Sequence, residues 1–266
     1  MSGTYADVDR GTDPDEAARW QERVDAWPAI RAYKALTYER CAGAEPVLDV
    51  GSGPGVDLVE LGGDAVGVDR SMVMNRRAAA RGCAVVAGDA LALPFADATF
   101  EAVRADRTLQ HLPEPVEAIT ECARVLRPGG MLIVADPDQG SLVVEVPGAP
   151  ACLVDAIRRR RRDRQYRSGT YIRGMPTTLC GMGFDDVRIE ARPLVLTDPA
   201  DAFGIATWGD AAAAEGGLTA AEAAQWRSSL ARLPPDQGFV YAVTFFVVSA
   251  RKSPISSAAT DTGGGA

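Results

Sequence analysis

Residues 46–55 read Pro-Val-Leu-Asp-Val-Gly-Ser-Gly-Pro-Gly. An apolar run, Val47, Leu48 and Val50, enters three glycines, Gly51, Gly53 and Gly55. Glycine accepts positive φ and carries no Cβ, so a ligand can lie against bare backbone. A carboxylate, Asp49, stands inside the run, two residues before the first glycine. Other acids close short apolar runs: Asp69 follows 65–68, Asp89 follows 85–88, and Asp136 follows 131–135. A carboxylate at the second run's end can accept from both hydroxyls of a ribose. One at the third can accept from an adenine amino group. The chain has one histidine, His111, with Arg107 shortly before it and both just past a fourth apolar run. With an ordinary pKa of about 6.5, imidazole suits the work of a general base.

The glycine loop has an obvious competing reading. A dinucleotide site uses G-x-G-x-x-G to seat a pyrophosphate on a helix N-terminus. Gly51 and Gly53 fit that pattern, but position 56 is Val and the third glycine falls at Gly55. Asp49 would also repel a pyrophosphate. A carboxylate there suits a ligand with a cationic amino group, and S-adenosylmethionine has an ammonium, a sulfonium and no phosphate.

These acids meet only if the runs are neighbouring parallel strands of a doubly wound sheet, whose strand tips carry the ligand. Strands are expected over 47–50, 65–68, 85–88, 100–103 and 131–135. A helix over 117–126 is broken by Arg127-Pro128-Gly129-Gly130. Ahead of the first strand, Asp13 can cap a helix, Pro14 fits its first position and Glu16 can complete a capping box. That helix should reach about Val24. A second should open at Pro28, show Ile30, Tyr33 and Leu36 on one side, and end at Gly43. Later elements are a helix over 171–182, a strand over 187–196, an alanine-rich helical stretch over 199–233 with Trp208 and Trp226, and an apolar strand over 239–250. Residues 253–266 are Ser, Thr, Ala and Gly with little to bury, and read as a disordered tail.

At this point the chain resembles the class I S-adenosylmethionine-dependent methyltransferases, in the branch that includes ubiquinone/menaquinone C-methyltransferases. The residues that carry the likeness are 47–55, Val68-Asp69, Gly88-Asp89-Ala90, Leu93-Pro94-Phe95 and Leu126-Arg127-Pro128-Gly129-Gly130. The resemblance implies a Rossmann-like α/β fold: a seven-stranded doubly wound sheet with its last strand antiparallel. It adds an N-terminal helical arm over 1–44, a methyltransferase domain over 45–252 and a helical lid over about 199–233. It implies that Asp69 binds ribose, that Asp89 binds adenine, and that the Gly51–Gly55 loop lies beside the methionine end of the cofactor. With Asp49, Ser52, Arg70, Ala90 and Arg104 these residues form the candidate cofactor-binding set. His111 and Arg107 form the candidate catalytic pair.

Other positions keep two readings. A His-Leu pair after the fourth strand can shape the loop instead of supplying a base. Arg107 can orient an acceptor or pair with Asp106 or Glu114. Asp136 can face the pocket or cap a turn. Tyr5, Trp20, Trp27 and Tyr38 on the arm, with Tyr166 and Tyr171, can line a pocket or pack the helices. The run Arg158–Arg162, continued by Arg164 and Arg167, is an anion-binding patch or the solvated face of a helix. Five consecutive arginines exceed one helical turn, so they cannot all face one ligand.

Composition narrows the classes. With 266 residues, 47% of them hydrophobic, the chain fits one α/β domain with additions. A net charge of −8 disfavours nucleic acid as a partner. No stretch approaches the roughly 20 apolar residues of a membrane span, and the first residues show no signal-peptide pattern. The five cysteines are scattered without a C-x-x-C pair, which suggests no zinc site or disulfide framework and a reducing, cytoplasmic setting. No metal-ligand constellation is evident. The expected function is methyl transfer from S-adenosylmethionine to oxygen or carbon of a small molecule, a secondary-metabolite intermediate. Nitrogen methylation, or a cofactor-binding protein that rearranges or cyclises its substrate, are the alternatives. The expected partner is the small-molecule methyl acceptor, with a homodimer left open.

Overall fold

The computed structural model describes residue 9 and residues 13–233 and 238–254. Seven strands form one sheet: β1 (Val47–Val50), β2 (Val66–Asp69), β3 (Ala84–Ala87), β4 (Phe100–Asp106), β5 (Leu126–Glu145), β6 (Phe184–Leu196) and β7 (Val240–Lys252). Their order is β3-β2-β1-β4-β5-β7-β6. Pairs among β1 to β5 are parallel, and β7 runs antiparallel to both β5 and β6. The chain builds outward from β1 to β3, then returns to lay β4 on the other side of β1. That reversal opens a crevice beyond the tips of β1 and β4.

Helices α1 (Pro14–Asp25) and α2 (Pro28–Cys41) precede the sheet. The Asp13 side chain accepts from the Glu16 amide at 2.8 Å, and proline fills the first turn of both helices. The Glu16 carboxylate is held by Arg19 and Arg23. The remaining helices are α3 (Val56–Leu61), α4 (Met72–Ala80), α5 (Pro115–Val125), α6 (Ala151–Arg160), α7 (Met175–Gly181), α8 (Trp208–Ala214) and α9 (Ala220–Ala231). The helix expected over 171–182 starts as a tight 3-10 turn, Tyr171–Gly174, before α7. The expected tail lies, from residue 255 onward, outside the described residues.

Alternation along the strands separates two apolar layers. Leu48, Val50, Val103, Ala105, Leu132 and Val134 pack with Ile119 and Cys122 of α5. Val47, Ala102, Ile133 and Ala135 face the opposite layer, with Ile30 and Tyr33 of α2. Asp49, Arg104 and Asp106 alternate onto that second face, beneath α2.

Several strands are longer than the pattern foretold. β4 continues to Asp106, β5 runs from Leu126 to Glu145 instead of over 131–135, and β6 starts at Phe184 instead of Val187. The last β4 partner is Ala135, yet β5 continues alongside β7 as far as Glu145 paired with Val240, with an irregularity between Asp138 and Val143. The Asp136-Pro137-Asp138 turn signal is overridden by this pairing. Tyr241, Val243 and Phe245 of β7 bury one face of the ladder and make extension favourable.

Candidate active site

A cavity of about 290 Å³ occupies the crevice, at the lower end of the range for small-molecule sites. One end is made by Gly51–Pro54, Asp69, Arg70 and Gly88–Leu91. The other is made by Arg107, His111, Gln139, Arg161, Tyr166 and Tyr241, with Trp20, Phe203 and Phe245 also at the wall.

The glycine loop is shaped by contacts that exclude side chains. Gly51 has φ +73°, and a Cβ there would lie 2.2 Å from Thr108 Oγ1. Its amide donates to Val68 O at 2.7 Å, which ties the tip of β1 to β2. Asp69 accepts from the Gly53 amide at 2.9 Å and the Ser71 amide at 2.8 Å, one on each carboxylate oxygen. Each oxygen keeps a second lone pair. Burial pushes its carboxyl up, against the pull of those two amides. Ser52 Oγ is enclosed and has no hydrogen-bond partner among the described residues. Bare backbone, a half-buried carboxylate with spare acceptor capacity and an unspent hydroxyl fit an adenosyl ligand without phosphates. Asp89, with Oδ1 accepting from the Leu91 amide at 3.0 Å, and Ala90 stand on the same wall, and Arg70 is exposed at its rim.

Three residues of the expected cofactor-binding set lie elsewhere. Asp49 and Arg104 are direct partners in the β1–β4 register, so their side chains leave the sheet together on the α2 side. Arg104 Nη1 donates to Asp49 Oδ1 at 2.7 Å, and Nε donates to Thr37 Oγ1 at 2.8 Å. Asp49 is 2% exposed and Arg104 not exposed at all, and neither lines the cavity. Gly55 is spent on packing, since a Cβ there would meet Ala78 Cβ at 2.7 Å.

Asp49 and Arg104 belong to a charge network beneath the cavity floor that sequence reasoning missed. Lys34 pairs with Asp57 at 2.7 Å, Asp25 at 2.9 Å and Asp106 at 3.3 Å. Arg104 also reaches Asp57 at 3.0 Å and Asp106 at 3.4 Å. Arg107 pairs with Asp25 and Asp106. Tyr33 donates to Asp106 at 2.9 Å and Tyr38 to Asp57 at 2.6 Å. Burial would raise the Asp57 carboxyl, but Arg104 and Lys34 outweigh it and hold it well below the usual range. Burial holds Asp49 above that range against the pull of Arg104. Four carboxylates and three cations are thus matched inside the protein. The available signal was the phase of β1 and β4: an acid and an arginine out of step with their apolar neighbours. Lys34 gave none.

His111 sits in a 3-10 turn, Leu109–His111, directly after β4. Its ring lies 5.3 Å from that of Tyr166. Burial first, then the Arg107 and Arg161 guanidiniums, pull its pKa down to about 4. Arg107, with φ +51°, lines the cavity and pairs with Asp25 and Asp106; Glu114 is not among its ion partners. Asp136 is fully buried behind the wall. It accepts from Tyr171 OH and the Gln110 amide, and burial pushes it up to about 8. Tyr166 is therefore a cavity residue and Tyr171 is not. On the arm, Trp20 lines the cavity, Trp27 packs against Trp20 and Phe203, and Tyr38 serves the charge network. Tyr5 lies outside the described residues. Among those residues, no helix is long and apolar enough to cross a membrane.

Comparison with known proteins agrees with this geometry. Residues 48–134 match the family model described as a methyltransferase domain. An uncharacterized 37.1 kDa protein in a Streptomyces fradiae transposon is 31% identical over 257 residues, covering 91% of this chain and 72% of its own. The demethylmenaquinone methyltransferase of Mycolicibacterium vanbaalenii is 42% identical over 96 residues, which are 35% of this chain. The chain spans only 42% of that enzyme's length. A SAM-dependent methyltransferase from Archaeoglobus fulgidus shares the fold at a TM-score of 0.52 and 18% identity, over 90% of this chain and 100% of its own. Residues 48–134 thus belong to the methyltransferase-domain family, and the chain has the fold of S-adenosylmethionine-dependent methyltransferases of known structure.

Proposed function

We propose that the protein transfers a methyl group to an oxygen or carbon atom of a small, partly apolar acceptor, an intermediate of secondary metabolism. One observation carries this reading. A single cavity joins the glycine loop and the Asp69 and Asp89 tips to a wall of His111, Arg107, aromatic rings and a buried arginine. The methyltransferase-domain match over residues 48–134 spans the glycine loop, Asp69, Asp89, Arg107 and His111 and supports the cofactor assignment.

S-adenosylmethionine supplies a methyl group already activated on sulfur. The protein then has to position, align and exclude water. Asp69 holds the ribose hydroxyls with its unused lone pairs, and Asp89 and Ala90 hold the adenine edge. Gly51, Ser52 and Gly53 line the methionine end, and Arg70 closes the rim. Trp20 of the arm and Phe203 of the 199–233 segment cover the acceptor; Trp27 clasps Phe203 with ring centroids 5.2 Å apart. His111 stays neutral at pH 7 and takes the acceptor proton, and Arg107, fixed by Asp25 and Asp106, orients the acceptor.

Calorimetry with S-adenosylmethionine tests the first half: a folded sample that shows no binding at millimolar cofactor refutes it. The second half is tested by incubation with candidate hydroxylated aromatics, where S-adenosylhomocysteine and a methylated product should appear in equal amounts.

A further inference from the structure

The arginine run does not behave uniformly. Arg158 pairs with Asp155, Arg160 with Glu215 and Arg162 with Asp163. Arg161 turns inward and is 3% exposed; it lines the cavity, as does the more exposed Arg167. It follows α6 at the head of a π-helical turn, Arg161–Gln165, and continues the buried stripe of Leu153 and Ile157 at four-residue spacing.

Among the described residues no carboxylate pairs with Arg161. Its Nη1 donates to Gln165 Oε1 at 2.9 Å and Nη2 to Tyr166 OH at 3.0 Å, both uncharged. Its guanidinium lies 3.7 Å over the Trp208 ring and 5.4 Å from the Tyr166 centroid. Nε is enclosed and donates to nothing among the described residues. A guanidinium has five N–H donors. Two are spent here, Tyr241 of the cavity wall also bears on the guanidinium, and the remaining N–H groups can serve a carboxylate. A buried charge without a counter-ion is costly. The Trp208 face offsets part of that cost, and an anion entering the cavity would offset the rest.

We propose that Arg161 recognises the acceptor, and that the acceptor class is a ring-bearing carboxylic acid. Its carboxylate docks on the cavity side of the Arg161 guanidinium, while its ring lies among Tyr166, Tyr241 and Phe245. This rests on the methyl-transfer reading above and names the substrate class of the same site. Binding also couples to His111, which burial first, and then the Arg107 and Arg161 charges, hold acidic. A carboxylate on Arg161 removes part of that field and makes the imidazole a stronger base in the complex than in the free protein.

The test uses protein saturated with S-adenosylhomocysteine and three matched probe pairs: salicylate, 4-hydroxybenzoate and 4-hydroxycinnamate, each against its amide. Calorimetry should show at least one acid binding about tenfold more tightly than its amide. Arg161→Gln should close that gap and leave S-adenosylhomocysteine affinity unchanged, and Arg161→Lys should restore part of the gap. The proposal is overturned if no pair binds, if acid and amide bind alike, or if the gap survives in Arg161→Gln. It is equally overturned if Arg161→Gln weakens S-adenosylhomocysteine as much as the acid, because the residue would then hold the cofactor. The comparison in the parent protein needs no variant. Failure to bind S-adenosylhomocysteine at all would instead sink the methyl-transfer reading together with this one.

Discussion

Two groups of buried charge border one cavity, and they are built on opposite plans. Under the glycine loop, Asp25, Asp49, Asp57 and Asp106 are matched by Lys34, Arg104 and Arg107. Each charge there has a partner from the same chain. Arg161 is as deeply buried but meets uncharged groups, Gln165, Tyr166, Trp208 and Tyr241, among the described residues. The first group fixes the arm and strand tips to one another. The second holds an unmet electrostatic demand. Buried charge therefore has two meanings in this fold, and the presence or absence of an internal counter-ion tells them apart.

The largest effect should come from breaking the matched group. Arg104→Met leaves Asp49 and Asp57 facing each other without their shared cation, and should cost about 3–5 kcal/mol of stability in urea unfolding. Replacing Asp49 and Arg104 together by leucine should recover most of that loss. A single-variant loss under about 1 kcal/mol would mean the network is not a structural clamp.

Next comes the cofactor wall. Asp69→Ala should weaken S-adenosylhomocysteine by about 1–3 kcal/mol, because ribose donors lose a charged acceptor. An unchanged dissociation constant would reject the ribose role.

At the other wall, the acidic pKa of His111 has a sign that can be checked. The folded value, about 4, lies below the ordinary value of about 6.5. The unfolded chain therefore takes up a proton first as pH falls. The contribution of neutral His111 to stability is complete above about pH 6.5 and is lost as pH drops towards 4. His111→Gln should flatten that part of the stability curve, and an unaltered acid limb would show that the histidine is not held neutral. As a base it should also give a rate that does not inflect near pH 6.5 in the free enzyme.

The smallest effect belongs to the exposed arginines. Arg159→Ala should change stability by no more than about 0.5 kcal/mol and leave ligand affinity alone. A clear loss of acid binding there would spread the anion site over the whole run and blur the contrast with Arg161.

Much of the fold was legible because strand tips, glycines and turn residues act locally. The runs ending at Asp69 and Asp89 became β2 and β3 within a residue of the expected limits. Asp49 misled for a physical reason: proximity to a glycine loop does not say which face a strand residue takes, and its register partner is Arg104. The arginine run misled in the same way. Composition reads it as a solvated face, although Leu153, Ile157 and Arg161 stand four residues apart on the buried side of the helix. The extension of β5 was hidden because its stabilising partner, β7, lies about a hundred residues downstream. Such pairings leave no mark in a short window of sequence.

That long ladder has an evolutionary corollary. Where β5 outruns its parallel neighbour, it carries Pro137 and Gln139 into the cavity wall, opposite Tyr241, Val243 and Phe245 of β7. Part of the cavity wall is thus carried by paired strands, beside Arg161, Tyr166 and Phe203 on turns and connections. Changing one inward residue reshapes the chamber while the backbone stays put, so new selectivities can be reached by single exchanges, tooth by tooth, without loosening the grip on adenosine.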